Sequence, residues 1–218
     1  MRRVLAIGRS TAELVALAGG TLAKLSAAGD ELFVGEAPVA PAADADGRSA
    51  TGEAVAAALG AEWLGSVVLE GDEDGRDVRD PVMDVIRRGR PDVILVSAPD
   101  GDEWMPLTEV VFNAAYCSTI PNYLSPTGLE PAAVRAPIVS LDRPRARDFT
   151  PDEYVDVTEQ WPAKLELLEL CGDAADDELR DLAEVSSRAR GIQVQVEFAE
   201  AFQIERAWGR LRPYRLLP

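Results

Sequence analysis

Short, wholly apolar runs separated by helix-length stretches constrain this chain most. Residues 4–7, 32–34 and 93–96 are strand-length runs with no polar alternation. Between them, apolar side chains recur every three or four positions. Leu14, Leu17, Ala18, Leu22 and Leu25 do so from Glu13 onward, and Val78, Val82, Val85 and Ile86 do so later. Such alternation predicts βαβ units, and these build a mostly parallel sheet. A strand without a polar side has no wet face, so the sheet is expected to be covered by helices on both sides.

The remaining segments follow the same grammar. Gly29-Asp30 ends the first helix. Residues 35–50, rich in Pro, Ala, Asp and Gly, read as a loop. Residues 53–59 read as a short helix, 66–69 as a strand and 71–75 as an acidic turn. Residues 107–115 carry a regular apolar helix face, and 121–131 form a long turn region. Residues 138–141 and 154–157 read as strands, 161–170 and 177–188 as helices. No repeat and no break interrupts the pattern, and 218 residues suffice for one well-buried core, so residues 1–218 are expected to form a single domain. In open α/β sheets ligands bind outside the carboxyl ends of the strands. Here those ends are residues 8–13, 35 onward, 70–74 and 97–104.

Charge and composition then exclude function classes. The formal net charge of −16 repels phosphate backbones and anionic membranes, so neither nucleic acid nor membrane is an expected partner. No apolar run approaches ~20 residues. Met1-Arg2-Arg3 leads straight into the first strand, without a signal sequence, and a cytoplasmic location is expected. Cys117 and Cys171 lack ligand spacing and read as small buried hydrophobes. The chain contains no histidine, which removes imidazole both as base and as zinc ligand.

Several segments, in order, resemble the LmbE/PIG-L-like N-acetylglucosaminyl deacetylases. Val4-Leu5-Ala6-Ile7-Gly8 followed by Ala18-Gly19-Gly20-Thr21-Leu22-Ala23-Lys24-Leu25 is similar to their amino-terminal signature. Leu69-Glu70-Gly71-Asp72 and the Ile86 to Ile94 stretch (IRRGRPDVI) resemble two further motifs. So do the Phe149 to Val157 stretch (FTPDEYVDV), Lys164-Leu165-Glu166-Leu167-Leu168 and Phe198-Ala199-Glu200-Ala201-Phe202. The resemblance implies a three-layer α/β/α sandwich with a Rossmann-like, mostly parallel sheet. It also implies zinc-assisted amide hydrolysis, with two His and an Asp holding the metal and another Asp as base. The matching positions here have lost that set. Ser10 falls at a ligand His, Ala12 at the catalytic Asp and Glu13 at the ligand Asp. In the second loop Gly101, Glu103 and Trp104 fall at the family's His, Asp and ligand His. One glutamate does not hold zinc, so no metal and no cofactor are expected.

Other roles for these residues follow from their chemistry. Glu13, Asp100, Asp102 and Glu103 together would favour a hard cation or raise one another's pKa as an acid–base pair; the alternative is a solvated acidic loop. Trp104 is either a stacking platform or a plug for the space of the lost ligands. Arg9 and Arg48 are candidates to pair with an anionic group. Gly19-Gly20 does not follow the first strand as a dinucleotide-binding turn would, and is expected to mark close helix–sheet contact. The leading reading is a zinc-free homologue, inactive as a zinc amidase, retaining a pocket for a small polar metabolite. The alternatives are a non-catalytic partner subunit of an active homologue (or a homo-oligomer) and an amidohydrolase using a carboxylate-bound hard metal.

Overall fold

In the computed structural model, residues 1–38, 45–69, 76–98, 107–123, 125–143 and 149–205 are described. The strands are β1 (Arg3–Gly8), β2 (Glu31–Glu36), β3 (Glu62–Ser66), β4 (Val93–Ser97), β5 (Ile138–Leu141), β6 (Glu153–Asp156) and β7 (Ala199–Ile204). The helices are α1 (Thr11–Ala27), α2 (Ala45–Leu59), α3 (Arg76–Gly89), α4 (Leu107–Ser118), α5 (Trp161–Leu170) and α6 (Asp177–Val194), with a 3₁₀ turn at Gly172–Ala174. The sheet runs β3-β2-β1-β4-β5-β7-β6. The first five strands are parallel, and β7 and β6 close the sheet antiparallel.

Helices cover both faces because alternate residues of the central strands point to opposite sides. Val4, Ala6, Val93 and Leu95 share a core with α1, α2, α5 and α6. Leu5, Ile7, Ile94 and Val96 share another with α3 and α4. This is the three-layer, mostly parallel sandwich expected from the sequence. Among the described residues no helix is long and apolar enough to cross a membrane.

Two buried polar networks tie distant elements together. In the first, Lys164 of α5 is wholly buried and donates to Glu200 Oε1 of β7 at 2.7 Å and to Ser187 Oγ of α6 at 3.2 Å. The same carboxylate accepts the backbone N–H groups of Gly20 (3.0 Å) and Thr21 (2.7 Å), in the middle of α1. Glycine permits this approach. A Cβ at Gly20 would stand 2.7 Å from Val157 Cβ, and one at Gly19 would stand 3.2 Å from Lys164 Cγ. The expected helix–sheet contact is made at Gly20, against the residue after β6 and the β7 carboxylate, whereas Gly19 packs against another helix, α5. In the second network, buried Arg87 of α3 donates to the carbonyls of Cys117, Ser118, Ile120, Tyr123 and Leu129.

Three sequence expectations need correction. Residues 45–50, read as part of a loop, are the first turns of α2. The strand placed at residues 66–69 is centred earlier, at Glu62–Ser66. Its apolar tail still runs beside the exit of β2, since Val67 N–H donates to Glu36 O and Leu69 N–H to Pro38 O. The last helix continues six residues past 188, to Val194, and β7 was not anticipated as a strand.

Candidate functional site

The strand order reverses between β1 and β4, so the crevice expected of such sheets opens at their carboxyl ends. Helix α1 begins there. Ser10 caps it: extended backbone (φ −150°) lets Ser10 Oγ accept the Glu13 N–H at 3.1 Å. This holds Glu13 in the first turn, buried beneath the crevice. Glu13 Oε2 accepts the Arg9 N–H at 3.1 Å, and Oε1 faces Arg143 Nε at 3.1 Å. That ion pair lacks hydrogen-bond geometry, and no described donor supplies it to Oε1. Ser97, at the end of β4, lies against Glu13 with a buried hydroxyl that makes no well-aligned hydrogen bond.

Burial is the strongest influence on Glu13 and pushes its carboxyl above the ordinary 4.5; Arg143, the Arg9 N–H, Ser97 and the Arg9 charge pull less strongly the other way. A carboxyl with a raised folded-state pKa holds its proton more tightly folded than unfolded. Stability is then lost as pH rises from the unfolded value through the folded one. The expected result is that Glu13→Gln gains on the wild type as pH rises from about 4.5 towards neutrality. Urea titrations of both proteins across that range measure the difference; a constant gap would contradict the buried carboxyl.

Beside this nook, on the α1–α2–α5 side, lies a cleft of about 400 Å³. Ser10, Ala12, Glu36, Arg48 and Thr51 line one wall, and Leu170 to Ala174 the other. Glu36 ends β2 and is buried. Its Oε1 accepts both the Thr11 N–H (2.5 Å) and the Thr11 hydroxyl (2.6 Å). Arg48 reaches over from α2, with Nη2 donating to Arg9 O at 2.7 Å and Nε lying 3.4 Å from Glu36 Oε2. Arg9 sends Nη1 to Ala37 O at 3.3 Å. Cys171 is no nucleophile here: burial pushes its thiol up to about 11, and the Sγ donates to Leu167 O.

Of the residues singled out from the sequence, Ser10, Ala12 and Arg48 line the cleft, and Arg9 and Glu13 adjoin it at the crevice. Asp100, Asp102, Glu103 and Trp104 lie outside the described residues. Sequence reasoning missed Glu36, Arg143 and Ser97. A charge just after the apolar run Leu32-Phe33-Val34 was the available signal for Glu36.

The described residues do not fit a zinc ion. The chain has no histidine, Ser10 Oγ is committed to the helix cap, and Glu13 already faces a guanidinium. No cluster of three or more acidic or cysteine ligands occurs among the described residues.

No protein-family model and no curated protein matches the sequence. Solved structures share its fold. A 4-carboxy-2-hydroxymuconate hydratase from Pseudomonas putida superposes with TM-score 0.74 at 19% identity, over 97% of this chain and 100% of the hydratase. The N,N′-diacetylchitobiose deacetylase of Pyrococcus horikoshii superposes with TM-score 0.68 at 22% identity, over 94% of this chain and 84% of its own. A deacetylase of the A40926 pseudoaglycone gives TM-score 0.64 at 17% identity, over 96% and 99% of the two chains.

Proposed function

We propose that this chain is a zinc-free homologue of the LmbE/PIG-L N-deacetylases, inactive as a zinc amidase, whose cleft at the carboxyl edge of the sheet takes a small polar metabolite. The observation that carries the reading is the Glu13–Arg143 pair. The one carboxylate left at the family's ligand positions spends its charge on a guanidinium, in a chain with no imidazole to help hold a metal. A divalent cation there would have to displace Arg143 from a buried partner and would find about one ligand where catalytic zinc needs three. The open cleft at Ser10, Ala12 and Arg48 supports a small-molecule role over that of a partner subunit. The solved neighbours include both deacetylases and a hydratase, so the shared fold leaves the reaction class open.

Elemental analysis of untagged, dialysed protein tests the reading. The expected result is no stoichiometric zinc, and no amine release from N-acetylglucosamine or N,N′-diacetylchitobiose. Loss of an electrophile and of a base typically costs ~10²–10⁴-fold each. Ser10→His alone is expected to restore neither, since Ala12 still provides no base. Zinc retained one per chain and released by Glu13→Ala would sink the proposal.

A further inference from the structure

We infer that the cleft binds its ligand through a protonated amine, with Glu36 as the anchor. This rests on the reading of the cleft as a metabolite site and names the chemistry it selects. Glu36 is 2% exposed, yet only one of its oxygens is satisfied. Oε1 takes both donors of Thr11, while Oε2 has no hydrogen-bond donor among the described residues. Arg48 Nε stands 3.4 Å away as an ion pair, and the guanidinium's hydrogen bond goes to Arg9 O instead. A buried carboxylate oxygen left without a donor is costly, and a ligand that supplies an N–H⁺ recovers that cost.

The sign of the ligand follows from the walls. Among the described residues, the charged side chains lining the cleft are Glu36, Arg48 and Asp173, one cation against two anions. An anionic ligand would face both carboxylates. A neutral hydroxyl can donate to Oε2, but it brings no positive charge to set against the buried carboxylate. A metal ion would find one buried carboxylate where a hard cation seeks six or more oxygens.

The remaining wall sets the body of the ligand. Leu170 and Cys171 present apolar surface across from Arg48, Ala12 adds to it beside Ser10, and Leu170 is one of the few large apolar side chains left exposed. A volume of about 400 Å³ is at the small end for ligand sites, which suits a single compact ring or short chain.

Calorimetric titration with two amines and their hydroxyl counterparts tests this: glucosamine against glucose, and cyclohexylamine against cyclohexanol. At least one amine is expected to bind, at least ~10-fold more tightly than its hydroxyl counterpart. Glu36→Gln is expected to weaken that binding at least ~10-fold. The variant should fold, because its amide oxygen still accepts from Thr11, and circular dichroism checks that it does. Diffuse attraction to a chain of net charge −16 would survive the loss of one carboxylate among 38 acidic residues, so it would not mimic this result. The inference is overturned if alcohols bind as well as amines, if folded Glu36→Gln binds as the wild type does, or if neither amine binds at about 10 mM. Zinc content of the same sample keeps the two claims apart. Zinc together with Glu36-dependent amine binding sinks the zinc-free reading alone; no zinc and no amine binding sinks the anchor alone.

Discussion

Glu200→Ala is expected to cost about 3–5 kcal/mol of folding stability, the scale of a buried ion pair that loses one partner. The reason lies in what the carboxylate serves. Lys164 Nζ is fully buried 2.7 Å from Glu200 Oε1 and sits 5.4 Å over the Trp161 ring. Removing the carboxylate strands that ammonium with Ser187 Oγ as its hydrogen-bond acceptor. It also takes the acceptor from the N–H groups of Gly20 and Thr21, so α1 loses its tie to β7. The double variant Lys164→Met/Glu200→Gln removes both charges and keeps an amide oxygen for one of the two α1 N–H groups, which in the wild type reach separate oxygens. It is expected to recover much of the loss, giving clear non-additivity. Denaturant unfolding of the single and double variants measures both effects. A Glu200→Ala protein within about 1 kcal/mol of wild type would show that the pair is not the buried clamp described.

That clamp joins residues 20, 164 and 200, and its parts were visible in the sequence only as fragments. Gly19-Gly20 stood out because glycine costs about 1 kcal/mol in a helix and needs a reason. The reason, a carboxylate 180 positions away, has no local signature. The central strands were legible for the opposite cause. Residues 4–7 of β1 and 93–96 of β4 are buried on both faces and therefore apolar, and a four-residue window suffices to see it. Edge strand β3 is half exposed and carries Gly65 at φ +92°, so neither alternation nor continuous apolarity marks it. The start of α2 was hidden by Gly47 and Gly52. Gly52 is there for packing, since a Cβ would stand 2.4 Å from the Trp63 ring of β3.

The candidate site shows the same division. Residues after β1 were found because one stretch of chain carries Arg9, Ser10, Ala12 and Glu13 together. Their partners come from three other strand ends. Glu36 closes β2, Ser97 closes β4 and Arg143 follows β5, and parallel pairing brings these ends beside β1. A sequence window sees one strand end at a time, so the cation facing Glu13 could not be read from the chain around it. Asp100 to Trp104 drew attention as a run of charges and an aromatic, while the carboxylate facing the cleft, Glu36, stood alone after an apolar strand.

Arg87→Met is expected to destabilise the protein by about 3–5 kcal/mol, because buried carbonyls left without donors cost roughly 1–3 kcal/mol each and the costs do not simply add. The Arg87 guanidinium is 2% exposed and gathers the carbonyls that end α4 and those of the turn beyond it. Nε donates to Ser118 O at 3.1 Å, Nη1 to Leu129 O at 3.0 Å and Nη2 to Tyr123 O at 2.9 Å, with Cys117 O and Ile120 O at 3.4 Å. Among the described residues it has no salt-bridge partner, so backbone dipoles alone answer the charge. Arg87→Lys should lose most of the same stability, since a single ammonium offers three donors from one point and cannot span carbonyls over twelve residues of chain. Arg87 belongs to α3, on the face of the sheet opposite the cleft lined by α1, α2 and α5. Its loss should therefore lower the unfolding midpoint while leaving amine affinity unchanged in protein kept cool enough to stay folded. Unfolding curves and cyclohexylamine titrations on the same preparation decide this. A Lys variant as stable as wild type would mean that charge, and not the forked geometry of arginine, holds the turn.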